Sequence, residues 1–373
     1  MGIMVLQRPV EDLVRLIRTA EEVGPRNISL IARLTGIPVE TARYIIKVRL
    51  PKLGLRFRPI IDEGRLGLVK HLLRLEFGDE LRPLVSDILD ALARTAYITY
   101  YAALLPHDGY IALADVPVEY ERRYHRLFEN FLHEGLLKSY ELYPLDCVWK
   151  RSIDARGIDF TNGEWKIKIS FEESGSSRQS VEVVKPDCEE PGVDKTDLLI
   201  IKELEKDPLQ PFTRMARALG IKEYTLRYHY NEHVIGKGLI PKYRIIWSSK
   251  EGFERGDYIG LVLFCYDVDE EGLKQIGEII ETIPSSSFEG ISEEHALYTA
   301  IMTIRSSWLV GILRLIRSKL SHYQILTMFI DPARKRRYTI PYELFDDETG
   351  WIFDEKRIWD SLQHLRQRMA KAQ

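Results

Sequence analysis

Ala32-Arg33-Leu34-Thr35-Gly36-Ile37 returns 184 residues later as Ala216-Arg217-Ala218-Leu219-Gly220-Ile221, and Thr41-Ala42-Arg43-Tyr44 returns as Thr225-Leu226-Arg227-Tyr228. Seven of the thirteen aligned positions are identical, and Gly54-Leu55 comes back as Gly238-Leu239 without a gap. A run of matches held in one register marks a tandem duplication whose unit is about half of the 373 residues.

Each copy opens on three short helical patterns: Val10–Glu22, Ile28–Leu34 and Val39–Leu50, then Thr196–Lys206, Phe212–Leu219 and Lys222–Val234. A small Ala early in the second helix and a Gly in the following turn make a helix-turn-helix. Ala32 and Ala216 let the next helix cross closely, and Gly36 and Gly220 supply the left-handed turn. Buried spacing then falls on Ala42, Ile46 and Leu50, and on Leu226, Tyr230 and Val234. That leaves Glu40, Thr41, Arg43, Tyr44 and Lys47 outward in one copy, and Glu223, Tyr224, Thr225, Arg227, Tyr228 and Asn231 in the other.

After Gly54 and Gly238 the period becomes strand-like, at Leu55–Ile61 and Leu239–Trp247. Each half then reads strand, helix, strand, strand, helix, strand, the ferredoxin-like order. The first copy places these at Leu66–Phe77, Glu80–Ala93, Ala96–Leu104, Tyr110–Asp115, Glu119–His133 and Leu136–Trp149. The second places them at Tyr258–Asp267, Glu270–Thr282, Ser286–Ile291, Ala296–Ile304, Ser307–Leu320 and Tyr323–Ile330. A further strand is expected at Trp165–Phe171 and at Trp351–Phe353.

The expected fold class is therefore α+β: two winged helix-turn-helix domains, each followed by a ferredoxin-like βαββαβ domain, arranged as an intrachain pseudo-dimer. Domain limits are expected at 1–62, 63–171, a linker at 172–194, 195–247, 248–353 and a C-terminal helix at 354–373. The linker is rich in Ser, Glu, Gly and Pro, with one short strand at Val181–Val184. Each sheet has one face covered by its own helices, so the two tethered sheets should bury their free faces on each other.

Composition narrows the function. With 45% hydrophobic and 29% charged residues, the chain has enough apolar content to fold. Lys+Arg 53 against Asp+Glu 56 leaves a net charge of -3, so a nucleic-acid surface must be local. Seven basic residues and one acid lie between Arg33 and Arg58; seven and two lie between Arg214 and Arg244. Cys147, Cys188 and Cys265 are too scattered for a disulfide scaffold or a cysteine zinc site. No apolar run approaches the roughly 20 residues of a membrane helix. Met1 to Pro9 is too short for a signal peptide, and a cytoplasmic location with no membrane partner is expected.

The motif A-R-x-x-G-I-x-x-x-T-x-R-Y, followed by Gly-Leu and a βαββαβ unit, resembles the Lrp/AsnC family of prokaryotic regulators, here duplicated. That resemblance implies a DNA-binding helix-turn-helix, a ligand-responsive αβ domain and further self-association. It departs from the family in the pair Arg43-Tyr44 (Arg227-Tyr228) and in one extra residue before Gly54 and Gly238. The expected function is a sequence-specific transcription regulator and not an enzyme. Double-stranded DNA and an amino-acid-like effector are its expected partners, with no cofactor, catalytic residue or metal ligand. Base contacts are expected from the outward residues Glu40, Thr41, Arg43, Tyr44 and Lys47, and Tyr224, Thr225, Arg227, Tyr228 and Asn231. Arg56, Arg58, Lys242 and Arg244 on the following strands are expected at phosphates.

Other readings compete, the first a protein-interaction module, since helical triplets with surface Arg commonly serve as one. His229-Tyr230-Asn231-Glu232-His233 matches the H-x-x-E-H of inverted zinc peptidases, but it lies on the expected recognition helix and reads more plainly as coincidence. The siroheme decarboxylase group resembles the same fold with two paired halves. It implies His and Arg in the αβ cleft, for which His107, His125, His295 and Arg305 are candidates. Arg334-Lys335-Arg336-Arg337 reads as a solvated loop or as a grip on phosphates.

Overall fold

The structure is a computed structural model that describes residues 9–106, 108–162, 180–186, 192–247 and 254–370. The strand expected at Trp165–Phe171 lies outside them. The first helical module is α1 (Val10–Val23), α2 (Ile28–Thr35) and α3 (Val39–Tyr44). The second is α6 (Lys195–Lys206), α7 (Phe212–Leu219) and α8 (Glu223–Tyr228). Gly36 and Gly220 close α2 and α7 at φ 69° and 67°. A Cβ would meet nothing within 4 Å at either position, so the left-handed backbone and not space calls for glycine.

The extra residue in each copy has a structural outcome. Each third helix runs on into a π turn, Ile45–Arg49 and His229–Ile235. There the amide of Leu50 reaches the carbonyl of Ile45, and that of Gly236 the carbonyl of Asn231. A π turn absorbs one inserted residue without ending the helix, so the buried faces on either side stay aligned. Ala42, Ile46, Leu50, Leu226, Tyr230 and Val234 are all buried, as their spacing requires.

The strands following the modules, β1 (Leu55–Ile60) and β8 (Lys242–Trp247), pair with each other antiparallel, Leu55 opposite Trp247 and Arg58 opposite Arg244. In the first half β2 (Leu68–Phe77), α4 (Val85–Thr95), β3 (Ile98–Leu105), β4 (Tyr110–Pro117), α5 (Glu121–His133) and β5 (Leu137–Pro144) make the βαββαβ unit. In the second half the unit is β9 (Tyr258–Tyr266), α9 (Glu270–Thr282), β10 (Ser287–Ser292), β11 (Leu297–Arg305), α10 (Leu309–Lys319) and β12 (Gln324–Arg337). Both units have the 4-1-3-2 strand order, and they join into one ten-stranded antiparallel sheet, β5-β2-β4-β3-β12-β9-β11-β10-β6-β7.

The single strand expected at Leu136–Trp149 is in fact two. Pro144 cannot continue a ladder as a donor, and the chain turns at Leu145–Asp146 into β6 (Cys147–Arg151), which pairs with β10 of the other half. The linker's strand β7 (Ser180–Val184) then pairs with β6. The sheet is thus tied at both β3–β12 and β10–β6. Between these ties the inner faces share one apolar layer, with Leu72, Ile111 and Leu113 from the first half and Val262, Phe264 and Met328 from the second.

The two larger cores cross over. One joins the first helical module (Leu13, Ile17, Ile31, Ile46) to the second half's helices (Ile276, Ile279, Ile312) through Ile245 and Phe160. The other joins the second module (Leu198, Ile201, Leu226) to the first half (Leu89, Leu92, Phe128). The chain's end closes the first half as well. A small hairpin, β13 (Phe345–Asp346) and β14 (Gly350–Trp351), leads to α11 (Glu355–Ala370). Trp351 Nε1 donates to Leu66 O at 2.8 Å, and Trp359 meets Phe131 edge to face.

Glu21 ties one of these crossings together. Its carboxylate, 3% exposed, accepts from Ile245 N at 2.9 Å and from Ser152 Oγ. Burial raises it from 4.5 to about 7 despite those two donors. The folded state therefore holds a proton that the unfolded chain has released between these values, so stability falls as pH rises from 4.5 to 7. Glu21→Gln should flatten that slope in urea-unfolding midpoints taken across the window; an unchanged slope would mean that Glu21 is not its source.

Candidate functional site

Among the described residues, a cavity of about 440 Å³ opens where the β1–β8 ribbon lies over the two sheet halves. Its lining includes seven cations, Arg58, Lys70, Lys150, Arg244, Lys335, Arg336 and Arg337, against three acids, Glu63, Asp115 and Glu205. Volumes of roughly 300–1,000 Å³ hold small-molecule ligands.

The floor is charge-paired. Lys70 on β2 and Lys150 on β6, each about 9% exposed or less, converge on Glu63 in the turn after β1. Lys70 Nζ lies 3.0 Å from Glu63 and also contacts Asp115 on β4; Lys150 Nζ lies 2.5 Å from Glu63 and donates to Ile61 O at 2.8 Å. Burial alone would raise Glu63, but Lys150 and Lys70 outweigh it and hold the carboxyl low. Two acids here offset two bases.

On the roof and side wall the cations outnumber the acids, with Glu205 beside Arg58 and Arg337. Antiparallel pairing sets Arg58 directly across from Arg244, a like-charge pair that costs stability by itself. Arg58 Nη1 donates to Glu205 O at 2.5 Å and Arg244 Nη1 to Ser287 O at 3.0 Å, both main-chain acceptors. Arg337 reaches Glu205 only at 3.6 Å. Burial, with Arg337 and Arg58 beside it, pulls Arg244 down to about 9. Arg58 is lowered by burial and then by Arg337. Such a wall is arranged for an anion that supplies the missing charge.

A bulge builds part of this wall. The ladder between β12 and β3 breaks between Ile330 and Lys335 and resumes with Lys335, Arg336 and Arg337 opposite Ala102, Tyr101 and Tyr100. Bulges re-aim side chains. The run Arg334–Arg337 is therefore strand and not loop, with all four residues exposed. Arg336 is held by Asp90, which also accepts from Tyr101 and Tyr338, and Lys335 and Arg337 line the cavity.

The expected DNA contacts divide in two. Glu40, Arg43, Tyr44, Lys47, Tyr224, Arg227, Tyr228 and Asn231 are exposed, and Thr41 and Thr225 are partly so. Arg43 pairs with Glu40 at 3.6 Å and Arg227 with Glu223 at 2.6 Å along the exposed helix surface. Of the strand cations, Arg56 is exposed and Lys242 pairs with Glu22 at 2.9 Å, whereas Arg58 and Arg244 turn into the cavity. Of the enzyme candidates, His125, His295 and Arg305 are not in the cavity lining, and His107 lies outside the described residues. His295 sits against Tyr143 and Ser292, and burial lowers His125. His71, beside Lys70 on β2, is fully buried and held neutral, lowered to about 3 by burial. Lys70 and Lys150 belong to no motif; their signal in the sequence is a lysine inside an apolar strand, as in Leu68-Val69-Lys70-His71-Leu72.

The second helical module holds a smaller cluster. His229 Nδ1 lies 2.8 Å from Asp197 Oδ1, and His233 Nδ1 lies 3.0 Å from Asp197 Oδ2.

An α+β chain with a cationic cavity between two tethered ferredoxin-like halves is thus the class defined here. No protein-family profile and no curated protein sequence matches the chain. Among solved structures, the siroheme decarboxylase NirDL aligns with 95% of this chain and 99% of its own, at TM-score 0.57 and 13% identity. NirDL in complex with an iron-uroporphyrin III analogue aligns over the same shares at TM-score 0.56 and 14% identity. LrpC of B. subtilis matches 37% of this chain at TM-score 0.28, too little to carry an argument.

These findings correct the regulator reading. The fold that matches over 95% of the chain is that of an enzyme, so "not an enzyme" and DNA-binding transcription regulation are withdrawn. The physical reason lies in the strand cations: Arg58 and Arg244, expected at phosphates, line an internal cavity between the two halves. Among the described residues no helix is long and apolar enough to cross a membrane.

Proposed function

We propose that the chain is a siroheme-decarboxylase-like enzyme whose substrate is a polycarboxylated tetrapyrrole bound in the cationic cavity. The observation that carries this reading is the predominantly cationic wall of Arg58, Arg244, Lys335 and Arg337, in a chain whose fold aligns with NirDL over 95% of its length. A macrocycle bearing several carboxylates matches that wall better than an amino-acid-like effector with one.

Two kinds of wall divide the work. The guanidiniums of Arg58, Arg244 and Arg337 clamp non-reacting carboxylates and fix the ring. Phe288, Ile301 and Met302 form an apolar wall. A carboxylate pressed there loses solvation, and that penalty disappears as its charge leaves with CO₂. In the net reaction an acetate side chain takes up one proton, its C–C bond breaks, CO₂ departs and a methyl group remains. Tyr100 and Lys335 line the same cavity; burial raises the Tyr100 phenol, which stays protonated and able to donate. Lys335, whose side chain borders the cavity, is the second donor.

Titration with siroheme or iron-uroporphyrin III should shift the intense near-ultraviolet band of the tetrapyrrole, and incubation with siroheme should give products lighter by CO₂. Tyr100→Phe should keep the spectral shift and slow CO₂ loss by roughly 100-fold or more. A saturating titration that left the spectrum unchanged would overturn the proposal.

A further inference from the structure

We infer that the second helical module carries a divalent transition-metal site made by Asp194, Asp197, His229 and His233. One donor atom from each of the four residues lies within 4.8 Å of all the others. The site is independent of the tetrapyrrole cavity, since none of these residues lines that cavity.

The local fold explains how four donors converge. Asp194 is the N-cap of α6, and a capping box fixes both carboxylates: Asp194 Oδ1 accepts from Asp197 N at 3.0 Å, and Asp197 Oδ2 from Asp194 N at 3.2 Å. That leaves Asp194 Oδ2 and Asp197 Oδ1 turned toward the third helix. His229 and His233, four residues apart on the π turn, present their Nδ1 atoms to them. His229 Nδ1 lies 2.8 Å from Asp197 Oδ1 and 3.5 Å from Asp194 Oδ2; His233 Nδ1 lies 3.1 Å from Asp197 Oδ1. Bonds of about 2.0–2.2 Å in a tetrahedron put ligands roughly 3.2–3.6 Å apart, so a slight expansion admits the ion. Each histidine binds as neutral imidazole through Nδ1 and keeps its proton on Nε2. Main-chain amides that hold the carboxylates act as the supporting shell such sites require.

The duplication supplies an internal control. Positions 184 residues earlier are Val10, Leu13, Ile45 and Arg49. Leu13 and Ile45 are buried in one apolar core, so the same helix crossing is held there by a hydrophobic contact. In the second copy Asp197, fully buried, stands where Leu13 does. Replacing that contact by a carboxylate and two imidazoles loses apolar burial and desolvates charge, and a bound cation offsets both. Two imidazoles and two carboxylates suit Zn²⁺, Co²⁺ or Ni²⁺ over Mg²⁺. Glu232 is exposed and outside the set, so the H-x-x-E-H spacing here means a structural clip between α6 and α8, with no peptidase base.

The test uses the full chain, stripped with chelator and titrated with Co²⁺. One equivalent should bind with the intense visible bands of a four-coordinate ion, Zn²⁺ should displace it, Mg²⁺ should not, and Zn²⁺ should raise the melting temperature. The double variant Asp197→Leu, His229→Ile copies the first repeat and should fold normally while binding Co²⁺ at least roughly 100-fold more weakly. His233→Gln gives a second variant with one ligand lost and a weakening of roughly tenfold or more. Absence of stoichiometric four-coordinate Co²⁺ in the unaltered protein, or equal binding by the variants, would overturn the site whatever the outcome with siroheme.

Discussion

Replacing Arg58 and Arg244 together by methionine should make the empty protein more stable and its tetrapyrrole binding much weaker. The two arginines stand opposite each other across β1 and β8, and their guanidiniums donate to the main-chain carbonyls of Glu205 and Ser287. Relief of cross-strand repulsion is worth roughly 0.2–1 kcal/mol, and methionine keeps much of the packing volume. The bound state loses two charge-assisted hydrogen bonds of about 1.5–3 kcal/mol each, which lowers affinity roughly 100- to 10,000-fold. Burial, with Arg337 and Arg58 beside it, disfavours the charged form of Arg244, so the empty protein carries a desolvated like-charge cluster that methionine at 244 relieves. Thermal melts, beside iron-uroporphyrin III titrations, check both halves; a variant that melts lower yet binds as before would defeat the anion-clamp reading.

Glu63→Ala should cost about 3–5 kcal/mol, because it strands Lys70 and Lys150 in a dry floor with only Asp115 between them. Glu63→Gln keeps the shape and should fall between. The carboxyl is held below its ordinary 4.5, so its contribution is full above that value and is lost as pH falls through its folded value. The Gln variant should therefore lose less stability on acidification than the parent. Guanidinium unfolding at pH 7 and pH 4 measures both effects, and an Ala variant within about 1 kcal/mol of the parent at pH 7 would show the quartet to be marginal.

The duplicated helices and the βαββαβ order were legible because local periodicity and turn glycines specify them. Gly36 and Gly220 sit at the left-handed turns where the spacing required them. What one segment does to a distant one was not legible. The alternation in Leu55–Ile60 shows that Arg56 and Arg58 share a face, but not that β8 lies alongside and turns Arg58 and Arg244 over a cavity. β6 leaves its own unit to pair with β10, a choice made by the partner edge and by Pro144, with no signature in Cys147–Arg151. Lys335 and Arg337 reach the cavity only through a bulge. His229 and His233 could be read as a spacing, but Asp197 lies a helix away and joins them only on folding.

The crossing of the two cores has a consequence for the growing polypeptide. Leu13, Ile31 and Ile46 leave the ribosome long before Ile276, Ile279 and Ile312, with which they share a core. At about 5–20 residues per second that delay is roughly 10–50 s. During it the first helical module has only part of its core, with Ile153, Ile158 and Phe160 from its own half, and β6 waits for β10 as well. Folding must await the second copy, since the contacts that close it span most of the chain. Truncation after the first repeat should therefore yield an insoluble or chaperone-bound fragment, whereas the two halves made as separate chains should rescue each other on coexpression.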